Sequence, residues 1–156
     1  MKHSEVVARF EAFLKEENLK LTPQRRRILD RVFATHEHFT ADTLYGWLLE
    51  EAGPRVSRAT VYRTLDVLNR GGFVEGLETG NGGIVYEHVL GQKHHDHLIC
   101  LGCGRIEEFR NDAIEELQHK VAESKGYSLH RHLLRLSGYC PECREKQSAA
   151  PASAPA

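Results

Sequence analysis

The sequence predicts an α+β protein, an N-terminal winged helix-turn-helix followed by a small C-terminal α/β part. Three observations predict it. Up to residue 70 the apolar residues recur at helical spacing between capping signals. Two short apolar runs then flank a glycine-rich turn, Thr79-Gly80-Asn81-Gly82-Gly83. Beyond it the pattern changes to short strands around Cys-x-x-Cys turns.

Each element has its own signal. Residues 4–17 place Val6, Val7, Phe10, Phe13 and Leu14 on one helical face. Thr22-Pro23 is an N-cap followed by proline at the first helical position, opening a helix with Ile28, Leu29, Val32 and Phe33 on one side. Thr40 caps a third helix, carrying Leu44, Trp47 and Leu48, expected to end near Gly53-Pro54. Ser57 caps a fourth, stopped by Gly71-Gly72. Phe73–Leu77 and Ile84–Glu87 form a hairpin on Asn81-Gly82, the wing. His97–Leu101 and Arg105–Phe109 read as strands, Asp112–Lys125 as a helix with the stripe Ile114, Leu117 and Val121, and Ser128–Leu136 as a further strand. The expected organisation is 1–88 for the winged helix, 89–146 for the α/β domain and 147–156 for a disordered tail of small residues and proline.

Composition narrows the function classes. The chain has 156 residues, 40% apolar and 28% charged, which suits a soluble globular protein. No apolar run has the ~20 residues a membrane span needs, and the charged N-terminus lacks a signal-peptide core, so a cytoplasmic protein is expected. A formal net charge of −1 hides an asymmetry: residues 1–70 carry 12 Lys/Arg and 10 Asp/Glu, residues 71–146 carry 9 and 12. All 4 cysteines and 7 of the 10 histidines lie in the second half. Thiols without an export signal point to metal before disulfides.

In the Ser57 helix, Val61, Leu65 and Leu68 face inward, which turns Arg58, Tyr62, Arg63 and Asp66 outward, with Ala59 and Thr60 in the first turn. Arginine, tyrosine and threonine there suit base-edge and phosphate contacts in a major groove; a solvated helix face is the other reading. Arg25, Arg26 and Arg27 open the second helix, where guanidinium and backbone N–H groups suit a phosphate. Cys100-x-x-Cys103 and Cys140-x-x-Cys143, separated by 36 residues, are two knuckles that together make a closed structural Zn(II) site; a redox pair or a regulatory disulfide is the other reading, and either would leave two matched pairs unexplained. His94, His95, Asp96 and His97 alternate on a strand, so His94 and Asp96 share one face and His95 and His97 the other. Imidazole and carboxylate donors suit Fe(II), Mn(II), Co(II) or Zn(II) bound reversibly.

These residues together resemble the ferric uptake regulator family. The resemblance covers residues 8–146 and rests on LTPQRRRIL (21–29), HFTADTLY (38–45), SRATVYRTL (57–65), the HHDHLIC run ending at Cys100 and the two knuckles. It implies a winged helix joined to an α/β dimerisation domain, in cytoplasmic homodimers that bind AT-rich inverted repeats of double-stranded DNA when loaded with metal; whether dimers pair into tetramers is left open. It implies a regulatory inter-domain site from His38, Glu87, His97 and Glu108, joined by His95. A second site takes His94, Asp96, Glu115 and His132. Lys20, Tyr62 and Arg63 align with DNA-contacting residues, the lysine in the minor groove. Glu115 also has a plain reading as a capping-box glutamate after Asp112, and His132 as a half-buried strand histidine. An Fe(II)-responsive repressor is the expected function, with zinc, manganese or peroxide sensing as the sibling reading. A small metallohydrolase built on the HHDH run is the reading from another class, and it lacks a nucleophile–base set. His3, His36, His88, His119 and His130 match no ligand of the family.

Overall fold

The computed structural model describes residues 2–80, 82–91, 94–130 and 132–149. Its elements run α1 (His3–Glu16), α2 (Pro23–Phe33), α3 (Ala41–Glu50), α4 (Arg58–Arg70), β1 (Val74–Glu78), β2 (Ile84–His88), β3 (Asp96–Cys100), β4 (Ile106–Phe109), α5 (Asp112–Ser124), β5 (Arg135–Gly138) and α6 (Pro141–Ala149). The chain divides into two compact units, Met1–Glu78 with Gly82–Gln92, and Thr79–Asn81 with Lys93–Ala156.

The first unit is a helical core closed by a hairpin. Thr22, Thr40 and Ser57 each accept a hydrogen bond from the backbone N–H three residues on, so the three helix starts fall where their caps put them. Val6, Phe10 and Leu14 of α1, Ile28, Leu29 and Val32 of α2, Leu44 and Leu48 of α3, and Val61, Leu65 and Leu68 of α4 are buried together. Phe10 meets Phe73 edge-on at 5.1 Å. Gly71 and Gly72 are both required at the exit of α4. A Cβ on Gly71 would sit 2.7 Å from the Phe73 ring, and Gly72 takes a left-handed φ of 69°. β1 and β2 then pair antiparallel, Val74 opposite His88 and Glu78 opposite Ile84. Asn81 of the expected turn lies outside the described residues; Gly82 beside it has φ 80°.

α3 stops at Glu50, short of the expected Gly53-Pro54. The Arg27 guanidinium explains this, donating to the carbonyls of Leu48, Glu51 and Pro54 at 2.6–2.7 Å and so satisfying the orphan acceptors of the helix end. Arg27→Ala is expected to destabilise the protein by about 2–3 kcal/mol, the scale of hydrogen bonds to a charged group, read as a fall in the urea midpoint.

The second unit is a three-stranded sheet in the order β4-β3-β5, with β3 antiparallel to β4 and parallel to β5. The strand expected over Ser128–Leu136 is corrected to Arg135–Gly138. Gly126, at φ 78°, follows the end of α5, and the described residues 127–130 and 132–134 lie in neither helix nor strand. α6 has no counterpart in the expected elements; Pro141 starts it one residue after Cys140. It runs to Ala149, into the segment expected to be disordered, and residues 150–156 of that segment lie outside the described residues. The α5 stripe exists but is not buried in a single chain: Leu117 is 61% and Val121 54% exposed. Among the described residues no helix is long and apolar enough to cross a membrane.

Candidate metal centres and nucleic-acid interface

In the first unit, the outward face of α4 matches the spacing argument. Arg58, Tyr62, Arg63 and Asp66 are exposed, with Tyr62 at 50%. Asp42 at the start of α3 receives the Tyr62 hydroxyl at 3.4 Å and the Arg58 Nε at 3.5 Å, which orients both side chains. The Thr60 hydroxyl is shared with the Ser57 cap at 2.8 Å. Among the arginines of α2 only Arg25 stays near the expected role. Its Nη1 donates to the Lys20 carbonyl at 2.7 Å and holds the exposed Lys20 segment in place. Arg26 pairs with Asp30 at 2.7 Å and Arg27 caps α3, so the expected three-arginine phosphate cradle is not formed.

His38 precedes α3, and Phe39 bridges to Tyr86 through backbone hydrogen bonds of 3.0 and 2.7 Å. That antiparallel bridge sets residue 38 opposite residue 87, and His38 Nε2 lies 3.7 Å from the buried Glu87 carboxylate. The first unit thus presents one imidazole and one carboxylate at the base of the wing.

In the second unit the alternation along β3 sorts the donors. The register sets His97 opposite Glu108, and Glu107 opposite Leu98. The His95 and His97 rings are 4.9 Å apart and His95 Nε2 is 3.9 Å from Glu108. Glu108, not Glu107, therefore belongs with the two histidines.

On the other parity, His94 Nε2 lies 3.2 Å from Asp96 and 3.2 Å from Glu115, and His132 Nε2 lies 2.9 Å from Glu115. The four offer ligand atoms all within 4.8 Å of one another. Asp96 is 1% exposed, yet neither of its carboxylate oxygens makes a hydrogen bond, nor do His94 Nε2, Glu115 Oε1 and His132 Nε2. Buried polar atoms at this spacing without hydrogen-bond geometry are what a cation among them would satisfy, so the set fits a divalent ion. His132 is half-buried as its plain reading had it, but the capping-box position for Glu115 and the strand placement of His132 are not met. Asn111 caps α5, accepting from Ala113 and Ile114, so Glu115 lies beyond the capping-box position. His132 precedes β5 and is not a strand residue.

Cys100, Cys103, Cys140 and Cys143 likewise bring their sulfurs within 4.8 Å of one another. Gly104, at φ 73°, turns the first knuckle, and Gly102 leaves room for Cys143, whose sulfur would be 2.9 Å from a Cβ there. The N–H groups of Cys140 and Cys103 lower the Cys100 thiol to about 6, while hydrogen bonding to Cys140 and burial push the Cys143 thiol up to about 12. Four sulfurs converging at this spacing fit a cation that all four share.

The remaining histidines have local contacts. His3 pairs with Asp30 at 2.8 Å; the His88 ring packs 4.9 Å from Phe33 and 5.1 Å from His36; His119 lies 6.4 Å from His132; His130 is exposed. Two features escaped the sequence reading: the Arg27 cap, hidden in a basic run, and Arg105 bonded to Glu142 at 2.9 Å, which pairs residues 37 apart.

A winged helix with an exposed Arg-Tyr-Arg face, followed by an α/β unit dense in metal donors, defines a metal-dependent transcription regulator. The chain belongs to the ferric uptake regulator family, whose model matches residues 16–137. It is 42% identical over 137 residues to the ferric uptake regulation protein of Neisseria meningitidis, covering 86% of this chain and 93% of that one. The Helicobacter pylori ferric uptake regulator, described as having three functional metal binding sites, superposes with a TM-score of 0.75 at 28% identity over 92% of this chain and 95% of that one. A zinc uptake regulator solved with zinc and DNA gives a TM-score of 0.51 at 29% identity over 96% and 99% of the two chains. The family is one of regulators and not of enzymes, which sets the metallohydrolase reading aside.

Proposed function

We propose that this protein is a cytoplasmic Fe(II)-responsive repressor of iron-uptake genes. Residues 1–88 read DNA and residues 89–146 dimerise and hold metal. The observation that carries the reading is the placement of nitrogen and carboxylate donors on both units, His38 with Glu87 at the base of the wing and His95 with His97 and Glu108 on the sheet. These five would hold the regulatory ion, Fe(II) with Mn(II), Co(II) or Zn(II) able to substitute; bound there, it supplies a cross-link between the reading head and its support. His94, Asp96, Glu115 and His132 would hold a second ion, and the four cysteines structural Zn(II). Arg58, Thr60, Tyr62 and Arg63 face the major groove, and Arg25 presents Lys20 to the minor groove. A ligand shifts such a population only by its differential affinity for one arrangement, so the donors must close around the ion only when the heads match the operator.

The test is an anaerobic gel-shift titration on an AT-rich inverted repeat with Fe(II), Mn(II) or Zn(II) at buffered free concentration. Tight binding restored by Fe(II) at the lowest free concentration is expected. Restoration by Zn(II) or Mn(II) alone would replace iron as the signal, and no binding under any ion would overturn the reading.

The homodimer is supported by the apolar surface that the second unit leaves open, Leu98, Leu117, Val121, Leu133 and Leu136. Leu117→Glu with Val121→Glu is expected to convert the dimer to a monomer in sedimentation; an unchanged dimer would move the interface elsewhere, and a tetramer in the wild type would extend it.

A further inference from the structure

We infer that Arg105 is a charge-compensating positioning residue of the four-thiolate site, retaining its ion and damping its thiolates. This rests on the reading of that site as structural zinc. A Zn(II) ion with four thiolates carries a net charge of −2, and cations close to the sulfurs lower its energy. Arg105 is built into the site from both ends. Its backbone carbonyl accepts the N–H of Cys100 at 2.8 Å, which locks it to the first knuckle. Its guanidinium donates to Glu142 at 2.9 Å, between Cys140 and Cys143 of the second knuckle. Arg105, Cys100 and Cys140 line one cavity of about 160 Å³.

An ion pair alone does not account for the arrangement. The side chains of Arg105 and Glu142 are 44% and 66% exposed, and such a pair adds little to stability. The inferred role is the cation's field at the sulfurs, and it gives the two partners opposite roles: Arg105 offsets the cluster's charge, and Glu142 adds to it.

The zinc-loaded full chain tests this with Arg105→Gln, Arg105→Lys and Glu142→Gln. Zinc release to a colorimetric chelator is expected to quicken about tenfold in Arg105→Gln, at the lower end of outer-shell effects on metal sites, and to stay near wild type in Arg105→Lys. In the Co(II)-substituted protein the thiolate-to-metal charge-transfer band should move to lower energy in Arg105→Gln. Glu142→Gln should release zinc no faster than wild type and move the band the other way. It carries the test by itself should Arg105→Gln not fold. Faster release in Glu142→Gln, or an unmoved band in Arg105→Gln, would reduce the pair to a surface tie and overturn the inference. A wild-type chain that holds no zinc would instead overturn the zinc reading beneath it.

Discussion

Withdrawing zinc with a strong chelator, or substituting Cys140 by Ser, is expected to unfold the second unit while the first stays folded. The physical reason is the distribution of the core. The first unit buries apolar side chains from α1 to α4 and the hairpin. In the second, among the described residues, the buried hydrophobic positions are Ile99 and Cys100, and α5 buries none. A sheet of this size without a core needs another source of stability, and structural zinc supplies about 10–16 kcal/mol of apparent binding free energy at neutral pH. Loss of protection from amide exchange should be confined to residues beyond 93, with dissociation of the dimer. An apo chain whose second unit keeps its exchange protection would show that the thiolate site is not structural.

His97→Ala is expected to remove the metal-dependent gain in operator affinity while leaving zinc content and the dimer unchanged. His97 is 3% exposed and sits opposite Glu108, so its loss removes a donor held on both sides by the sheet. Coupling between an effector site and a ligand is commonly worth about 5–150-fold in affinity. His97→Ala should therefore bind the operator as weakly with Fe(II) as without it, by fluorescence anisotropy. His36→Ala is the control, since His36 packs on His88 and belongs to no donor set. Full metal-dependent binding by His97→Ala would end the cross-link model.

What the sequence disclosed follows from the range of the forces. Caps are local, so Thr22, Thr40 and Ser57 located their helices to the residue. Alternation along one strand is local too, and it separated His94 and Asp96 from His95 and His97 before any partner strand was known. Where the end of an element is set from afar, local signals failed. α3 ends where Arg27 reaches it from another helix. β5 begins late because, among the described residues, it pairs with β3 alone, and nothing in Ser128–Leu134 announces that register. The α5 stripe was legible as a pattern, but its exposure was not, because an apolar stripe reads the same whether or not an element of the chain packs on it. The donor identities of the regulatory and second sites came from family resemblance, since spacing alone does not choose between Glu107 and Glu108; the strand register does.

β3 carries a further consequence. Within five residues it contributes Asp96 to one donor set, His97 to another and Cys100 to the third. The first knuckle joins β3 to β4 and β5 leads into the second, so closing the knuckles ties together the ends of all three paired strands. With the knuckles open, the pairing that directs Asp96 and His97 is expected to loosen. Under the proposed zinc and iron readings, loading is expected to be ordered, zinc before iron. Zinc-depleted chains are therefore expected to show no Fe(II)-dependent rise in operator affinity.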